Sequence, residues 1–249
     1  MPENNQTTEG NMKRTLVTSG MIGLMTVANA VPFDDIGSVS GVASQFTVDI
    51  GNGGLAFTRA GDPVSFTVGA NQAYFLFRNT GRTACSITDI YFDDASGSAA
   101  SLATIAALID VDSYLSFNGQ RLYGHSGVDF SRGASPSNLP QSDALSPPFE
   151  TTTGLSTDSD SPVVLNGIDP GEWLGVVVDL IAGCDLSDAQ CSLERGLLRI
   201  GVQAQAIGPG AQRDSLVTRP SSVPDASATA ALLGVAVLGL EGLRRKRVK

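Results

Sequence analysis

The chain has 249 residues, of which 42% are hydrophobic and only 16% charged, and it contains 28 Gly and 12 Pro. Low charge with abundant glycine is typical of an exported β-rich protein rather than of a helical cytosolic enzyme. Residues 31–223 contain 21 acidic side chains (18 Asp and 3 Glu) against nine Arg and no Lys, a net charge of −12. Such a surface repels the phosphates of nucleic acids, so the composition argues against a nucleic-acid-binding protein.

The N-terminal segment has the pattern of a secretory signal peptide. Counted from Met12, two basic residues precede a mostly apolar stretch at 16–27, and Ala28 and Ala30 have the A-x-A spacing of a cleavage site. We therefore predict a signal peptide at 1–30, with translation beginning at Met12 because the eleven preceding residues are polar. An uncleaved anchor fits less well, since Thr, Ser and Gly interrupt the short apolar stretch.

Residues 31–218 predict a single all-β domain, because short runs that alternate apolar and polar residues recur between turn residues. The predicted strands are QFTVDI, LAFTRA, VSFTVG, AYFLFRN, SITDIYFDD, SLATIAALID, YLSFNG, GVDFS, EWLGVVVDLI and GLLRIGVQAQAI. SLATIAALID fits a helix or a strand, and its neighbours favour a strand. We expect an antiparallel β-sandwich or jelly roll, with the last two runs as central strands.

A Ser/Pro-rich loop at 131–162 contains candidate calcium ligands. Loops of this length are usually functional or mobile. Asp158 and Asp160 have one serine between them, and hard cations prefer oxygen donors from such loops. The stretch does not match the EF-hand pattern, because Pro162 and Val163 interrupt it. Solvated surface acids and Asx turns explain the same residues, so both interpretations stay open.

Few residues suggest catalysis. His125 is the only histidine, and the surrounding Gly-His-Ser-Gly lacks the G-x-S-x-G spacing of a nucleophile elbow. One histidine and three scattered cysteines also make a zinc site a poor fit. Glycoside hydrolysis needs only two carboxylates, and the chain offers Glu150, Glu172 and Glu194 in addition to many Asp. We interpret Trp173, the sole tryptophan, as a core residue at a strand start, with a sugar-stacking platform as the alternative.

Cys184 and Cys191 flank a short acidic segment that we expect to be a loop. A disulfide between them is the predicted arrangement if the domain matures in an oxidising compartment. The alternative is that all three cysteines are unpaired thiols. The spacing of the cysteines does not decide between the two, and one cysteine is left over in either case.

The C-terminal tail combines an apolar segment with a basic cluster. Residues 226–243 carry a single charge, Glu241, and as a helix they would span roughly 27 Å, about the thickness of a bilayer core. The cluster that follows consists of Arg244, Arg245, Lys246, Arg247 and Lys249. By the positive-inside rule we expect a short transmembrane helix whose C-terminus stays in the cytoplasm and whose preceding domain lies outside.

The tail, in which Val223, Pro224 and Asp225 precede the apolar segment and the basic cluster, resembles the PEP-CTERM class of bacterial sorting signals, in its variant that begins Val-Pro-Asp. Ala226 stands where the commoner motif has a second proline. The resemblance implies recognition by exosortase, a membrane-embedded cysteine protease that is thought to cleave near the motif. Blocks within residues 70–210 also resemble the ectodomain of one group of PEP-CTERM proteins, which implies a single domain and no particular activity.

Taken together, these features predict a non-catalytic structural or interaction protein with no obligatory cofactor. Its expected partners are the secretion translocon, an exosortase-type protease and exopolysaccharide. We expect a transient stay in the inner membrane, followed by the cell surface or the extracellular matrix. The alternative is a carbohydrate-binding module or a glycan-acting enzyme that uses a carboxylate pair, with or without calcium. A third interpretation is a surface receptor that keeps its tail (219–249) as a permanent anchor.

Overall fold

The computed structural model describes residues 30–36, 41–59, 62–95, 99–111, 116–117, 120–121 and 127–220. This part of the chain is mostly β-strand, which confirms the predicted all-β class. The strands are β1 (Val31–Asp35), β2 (Phe46–Gly51), β3 (Gly54–Arg59), β4 (Asp62–Thr67), β5 (Gln72–Asn79), β6 (Ser86–Asp94), β7 (Leu102–Val111), β8 (Ser116–Phe117), β9 (Gln120–Arg121), β10 (Phe130–Arg132), β11 (Ser156–Ser159), β12 (Trp173–Leu180), β13 (Leu198–Ile207) and β14 (Gln212–Thr218). An α-helix, α1 (Leu186–Arg195), lies between β12 and β13.

Ten strands form one antiparallel sheet in the order β10-β11-β6-β13-β14-β1-β2-β5-β12-β7. β3 pairs with β4, and β8 pairs with β9, as separate hairpins. The ambiguous run SLATIAALID is strand β7, as its neighbours suggested. The two longest apolar runs are interior strands, since β12 lies between β5 and β7 and β13 lies between β6 and β14.

Strand β1 joins the two halves of the sheet. Its first two residues pair with β2, and its last three residues pair with β14, beginning with Phe33 opposite Thr218. A strand that divides its hydrogen bonds in this way makes two halves continuous. The structure therefore has one curved ten-stranded sheet, where the expected sandwich or jelly roll would have two separate sheets.

The core lies between the two halves of this sheet. Phe75 and Phe77 of β5 meet Phe92 of β6 with ring centroids 5.1 Å and 6.1 Å apart, both in edge-to-face geometry. Edge-to-face contact is a favoured arrangement of aromatic rings. At the open edges, the Arg132 guanidinium of β10 donates a hydrogen bond to the Ala106 carbonyl of β7. The sheet is thus nearly closed around its core.

Both faces of β12 are covered, which explains why its sequence is apolar without interruption. Val176 and Val178 point into the main core, whereas Val177 points outward into a second cluster with Val68. Trp173 begins β12 and is partly buried in that outer cluster. It therefore packs against the domain at a strand start, but on the outer side of the sheet rather than between its halves.

Residues 133–155, most of the predicted long loop, form a packed cover over the outer face of the other half; we call them the cover segment. Leu139 and Phe149 are fully buried there against Tyr91 of β6. Arg199 of β13 fastens the far end, because its guanidinium donates to the Pro147 carbonyl at 2.8 Å and lies 5.4 Å from the centre of the Phe149 ring. Apolar burial and these contacts hold the cover segment in place.

The acidic segment between Cys184 and Cys191, which we expected to be a loop, is the first half of helix α1. Asp185 caps its N-terminus by accepting from the backbone N–H groups of Ser187 and Asp188, and the Asp188 carboxylate accepts from the N–H of Asp185 in return. This reciprocal capping box stabilises a helix start. Gly196 ends the helix in a left-handed conformation with φ 71°.

All three cysteines lie within the described ranges and are free thiols in this structure. Cys184 precedes the helix cap and Cys191 lies in the middle of α1. Both line one pocket of about 370 Å³ between α1 and residues 99–101. The residues after Asp185 are helical rather than a loop, and a disulfide between Cys184 and Cys191 stays a prediction for the oxidised protein.

Most of the predicted signal peptide and the whole apolar tail lie outside the described residues, at 1–29 and 221–249. Ala30, the last residue of the predicted cleavage site, is exposed and directly precedes β1. Within the described ranges, no helix has the length and apolar character needed to cross a membrane.

Candidate functional site

The most unusual chemistry of the domain is a pair of adjacent aspartates on neighbouring strands. Asp89 of β6 stands directly opposite Asp158 of β11 in the antiparallel register. Residues in this relation have Cβ atoms about 5 Å apart, so like charges there repel each other. The two carboxyl groups also interact electrostatically, since the negative charge of Asp158 helps to raise the pKa of Asp89 and so favours a proton on that carboxyl.

Neutral donors surround the pair. The Thr88 hydroxyl donates to Oδ2 of Asp89 at 2.7 Å, and the Ser135 backbone N–H donates to Oδ2 of Asp158 at 3.3 Å. The Tyr91 hydroxyl lies 3.3 Å from Oδ1 of Asp89 and 3.1 Å from the Pro136 carbonyl. Because a hydroxyl has one proton, it donates to only one of these two acceptors at a time. No ion pair to Asp89 occurs among the described residues.

Burial decides the protonation of this pair. Asp89 is only 2% exposed. Its burial raises the pKa of the Asp89 carboxyl to about 6, with the hydrogen bond from Thr88 opposing the shift and the nearby Asp158 adding to it. Burial also raises the pKa of Asp158, against the hydrogen bond from Ser135. Two coupled carboxyl groups of this kind titrate as a pair that shares one proton.

The pair lies at a surface pocket of about 400 Å³, where the turn at 162–165 and strand β14 form the opposite wall. Arg213 is the only cationic residue lining it, and Gln205 contributes an amide that donates to Thr88 at 2.9 Å. Leu165 stands at the rim with 42% of its surface exposed. The pocket can therefore receive small polar groups near a carboxyl pair.

The burial of the pair differs from the open arrangement of glycoside hydrolases. Catalytic carboxyl groups in those enzymes flank the scissile bond, roughly 5 to 9.5 Å apart, with room for the sugar and a water. Asp89 is only 2% exposed and stands directly opposite Asp158 in the ladder instead. Glu150 and Glu194 are exposed at separate places, and Glu172 accepts a hydrogen bond from the N–H of Asp169. The three glutamates are therefore not assembled into a pair.

The two predicted calcium ligands, Asp158 and Asp160, are engaged differently. Asp158 stands opposite Asp89 and accepts from the Ser135 N–H, whereas Asp160 accepts from the Ser131 hydroxyl at 3.1 Å. Asp160 is still close enough for its negative charge to contribute to the raised pKa of Asp158. Across the described ranges, no three or more His, Cys, Asp or Glu side chains are grouped so that they could hold a metal ion.

A second buried polar group lies on the opposite side of β6. Asp169 is 5% exposed, and burial raises the pKa of its carboxyl to about 6, with a hydrogen bond from Ser86 opposing the shift. Nearby, the Gln45 amide contacts the Cys85 sulfur at 2.6 Å, and burial raises the pKa of this thiol to about 11. A thiol with so high a pKa stays protonated at neutral pH and is a poor nucleophile.

Sequence reasoning missed Asp89 as a site residue. The sequence does contain a hint, because an aspartate in the middle of the apolar run SITDIYFDD must be buried if that run is an interior strand. Its partner could not be identified from the sequence, since Asp158 is 69 positions away. His125, Val223, Pro224, Asp225 and the basic cluster at 244–249 lie outside the described residues.

Comparison with protein families identifies the tail. Residues 222–247 match the VPDSG-CTERM motif, which is a PEP-CTERM-like C-terminal sorting signal. The match contains Val223, Pro224 and Asp225 together with four of the five basic residues. No curated protein and no solved structure matches the chain. The sorting signal is consistent with export to the cell surface, and such motifs in general imply processing by an exosortase-type enzyme.

Proposed function

We propose that this protein is a non-catalytic structural or interaction protein that is exported, processed at its sorting motif and retained at the cell surface with exopolysaccharide. In this proposal the translocon exports the chain, the signal peptide at 1–30 is removed, and the apolar tail holds the protein transiently in the inner membrane. An exosortase-type protease then releases it. The observation that carries the proposal is the sorting motif at 222–247 directly after a closed β domain.

The position of the motif relative to the domain supports processing close to the folded surface. Strand β14 ends at Thr218, and the side chain of Arg219 still pairs with Asp34 of β1, its Nε donating to Oδ2 at 2.6 Å. From Pro220 to Val223 an extended chain spans about 10 Å. The protease would therefore work on a short linker beside the domain, which leaves a compact product after cleavage.

A non-catalytic role fits better because the carboxyl pair is not open to a sugar. Asp89 is only 2% exposed, which leaves no room for a glycosidic bond between it and Asp158. The acidic surface also suits a hydrated matrix, since like charges keep the proteins apart and soluble. Exopolysaccharide would then be bound by the outer surface or by the polar pocket, without turnover.

The test is the intact mass and terminal sequence of protein recovered from the cell surface and from culture fluid. We expect loss of residues through Ala30 and of those following roughly Val223. A variant with Pro224→Ala and Asp225→Ala should keep its tail and stay with the membrane fraction, whereas the matched control Pro220→Ala and Ser221→Ala, outside the motif, should be processed normally. Retention of the tail by the unaltered protein would instead identify a permanently anchored surface protein.

A role in the matrix is tested separately with the processed protein. We expect it to co-sediment with exopolysaccharide isolated from the same cells and to leave the chain length of that polysaccharide unchanged after prolonged incubation. Shortening of the polysaccharide that is abolished by Asp158→Asn would replace the structural proposal with a glycan-acting enzyme. Failure to co-sediment would remove exopolysaccharide as a partner without affecting the sorting proposal.

A further inference from the structure

We propose that Asp89 and Asp158 form a proton-operated clasp, which holds β10, β11 and the start of the cover segment on β6 while one proton is shared, and which loosens when both carboxyl groups are ionised. The clasp is a conformational device of the domain and does not depend on how the tail is processed. It would make one edge of the sheet respond to the pH outside the cytoplasm.

The clasp acts on the least strongly held part of the sheet. Strand β11 has four residues and meets β6 through three register pairs, Ser156 with Tyr91, Thr157 with Ile90 and Asp158 with Asp89. Strand β10 has three residues, and β11 is its only ladder partner among the described strands. Short edge strands of this kind open locally at much lower free energy than central strands do. Repulsion between Asp158 and Asp89 would therefore weaken one of the three register pairs that join β11 to β6.

The carboxyl pair is linked directly to the cover segment. The N–H of Ser135 donates to Asp158, and the Pro136 carbonyl lies 3.1 Å from the Tyr91 hydroxyl beside Asp89. Both contacts belong to the first residues of the cover segment. The far end is fastened independently by Arg199, through the Pro147 carbonyl. Separation of the pair would therefore lift residues 133–139 first and leave 147–149 attached.

The charged groups around the pair favour repulsion once the shared proton is lost. From β11, Asp158 faces Asp89 with negative charge, and Asp160, two residues further on, adds negative charge beside Asp158. From β13, Gln203 stands opposite Asp89 in register and Gln205 lines the pocket, and both are neutral. From β14, Arg213 supplies one positive charge at the pocket. Once the shared proton is lost, the three carboxylates carry more charge than the one guanidinium can offset. Tyr91 stays protonated, because burial raises the pKa of its hydroxyl above an ordinary value that is already high.

The direction of the pH effect follows from the burial of Asp89. An unperturbed Asp has a pKa of about 3.9, whereas burial and the neighbouring carboxylate raise that of Asp89 to about 6. The closed form thus binds the proton more tightly than an opened, hydrated form. The proton's contribution to the stability of the closed form is complete below about pH 4. It is lost as the pH rises to about 6 and does not change further above that pH. A difference of two pKa units permits at most about a 100-fold rise in the opening constant.

The test is hydrogen–deuterium exchange of the processed protein at pH 5 and pH 8, corrected for the intrinsic pH dependence of exchange. In peptides from 130–139 and 156–159 we expect exchange up to about tenfold faster at pH 8, with peptides from β12 and β13 unchanged. Asp89→Asn removes the buried titrating group, so it should abolish this pH dependence, whereas Asp158→Asn removes only the neighbouring charge and should reduce it. The matched control, exposed Asp143→Asn, should behave like the unaltered protein.

Three outcomes would overturn the clasp. The first is equal protection of the edge at both pH values. The second is a pH dependence that survives in Asp89→Asn or is spread evenly over the sheet. The third is restoration of protection at pH 8 by 1 mM CaCl₂, lost in Asp158→Asn, which would identify a cation site in place of a shared proton. If Asp89→Asn does not fold, the midpoint of the exchange transition in the unaltered protein, expected near pH 6, decides the question.

Discussion

Substitution of Asp169 by asparagine should stabilise the domain at neutral pH and leave it unchanged in acid. Asp169 is 5% exposed, and burial raises the pKa of its carboxyl to about 6. Relative to an unfolded pKa of about 3.9, the shift is about two units, or about 3 kcal/mol between the protonated and ionised forms. The folded state pays this cost only when Asp169 is ionised.

The sign of the effect is fixed by linkage. The native carboxyl binds its proton more tightly than the unfolded one, so its favourable contribution is complete below about pH 4 and is lost as the pH rises to about 6. The amide of Asp169→Asn is neutral at every pH and keeps an oxygen that can accept from Ser86. The variant should therefore match the unaltered protein at pH 4 and exceed its free energy of unfolding by up to about 3 kcal/mol at pH 7.

The assay is urea unfolding of both proteins at pH 4 and pH 7, with the m-value checked for constancy. Comparing the difference between variant and parent at the two pH values cancels the contributions of all other carboxyl groups. The control, exposed Asp143→Asn, should change the free energy of unfolding by less than about 0.5 kcal/mol at either pH. The reasoning is refuted if the difference between Asp169→Asn and its parent is the same at pH 4 and pH 7.

Two further substitutions test the packing. Phe92→Ala removes the ring that joins the two halves of the sheet and should lower the free energy of unfolding by about 3 to 5 kcal/mol, whereas Leu165→Ala at the exposed pocket rim should change it by less than about 0.5 kcal/mol. Gly201→Val places a Cβ 2.6 Å from Cδ2 of Leu139, so proteolytic cleavage within 133–155 should become faster, while Gly54→Val, which meets nothing within 4 Å, should not change it. Equal losses for Phe92→Ala and Leu165→Ala, or cleavage unaffected by Gly201→Val, would contradict the packing described.

Alternating patterns were enough to predict most strands, because each strand buries one face or both. SITDIYFDD coincides with β6, and AYFLFRN lies within β5. The pairing of those strands was beyond the sequence, since β1 is shared between β2 and β14 at a separation of more than 180 residues. A local pattern states that a strand has a buried face but not which strand lies beside it.

The helix and the cover segment were missed for different reasons. The capping box of Asp185 and Asp188 and the terminal Gly196 were present in the sequence, but the two flanking cysteines suggested a disulfide-closed loop instead. In the cover segment, Leu139 and Phe149 are isolated apolar residues among Ser and Pro, with no periodicity that would reveal burial. The pair of Asp89 and Asp158 depends on long-range register and had no local pattern of its own.

The pairing of β1 with β14 bears on the timing of folding during secretion. In a chain exported from its N-terminus, β1 emerges first, yet the strand that completes its ladder ends at Thr218, just ahead of the sorting motif. Contacts so distant along the chain form late and slow folding. In an exported chain the sheet can thus be completed only after the residues up to Thr218 have been translocated. A domain truncated ahead of β14 would leave β1 paired with β2 alone, so the residues nearest the sorting motif are also those that join the two halves of the sheet.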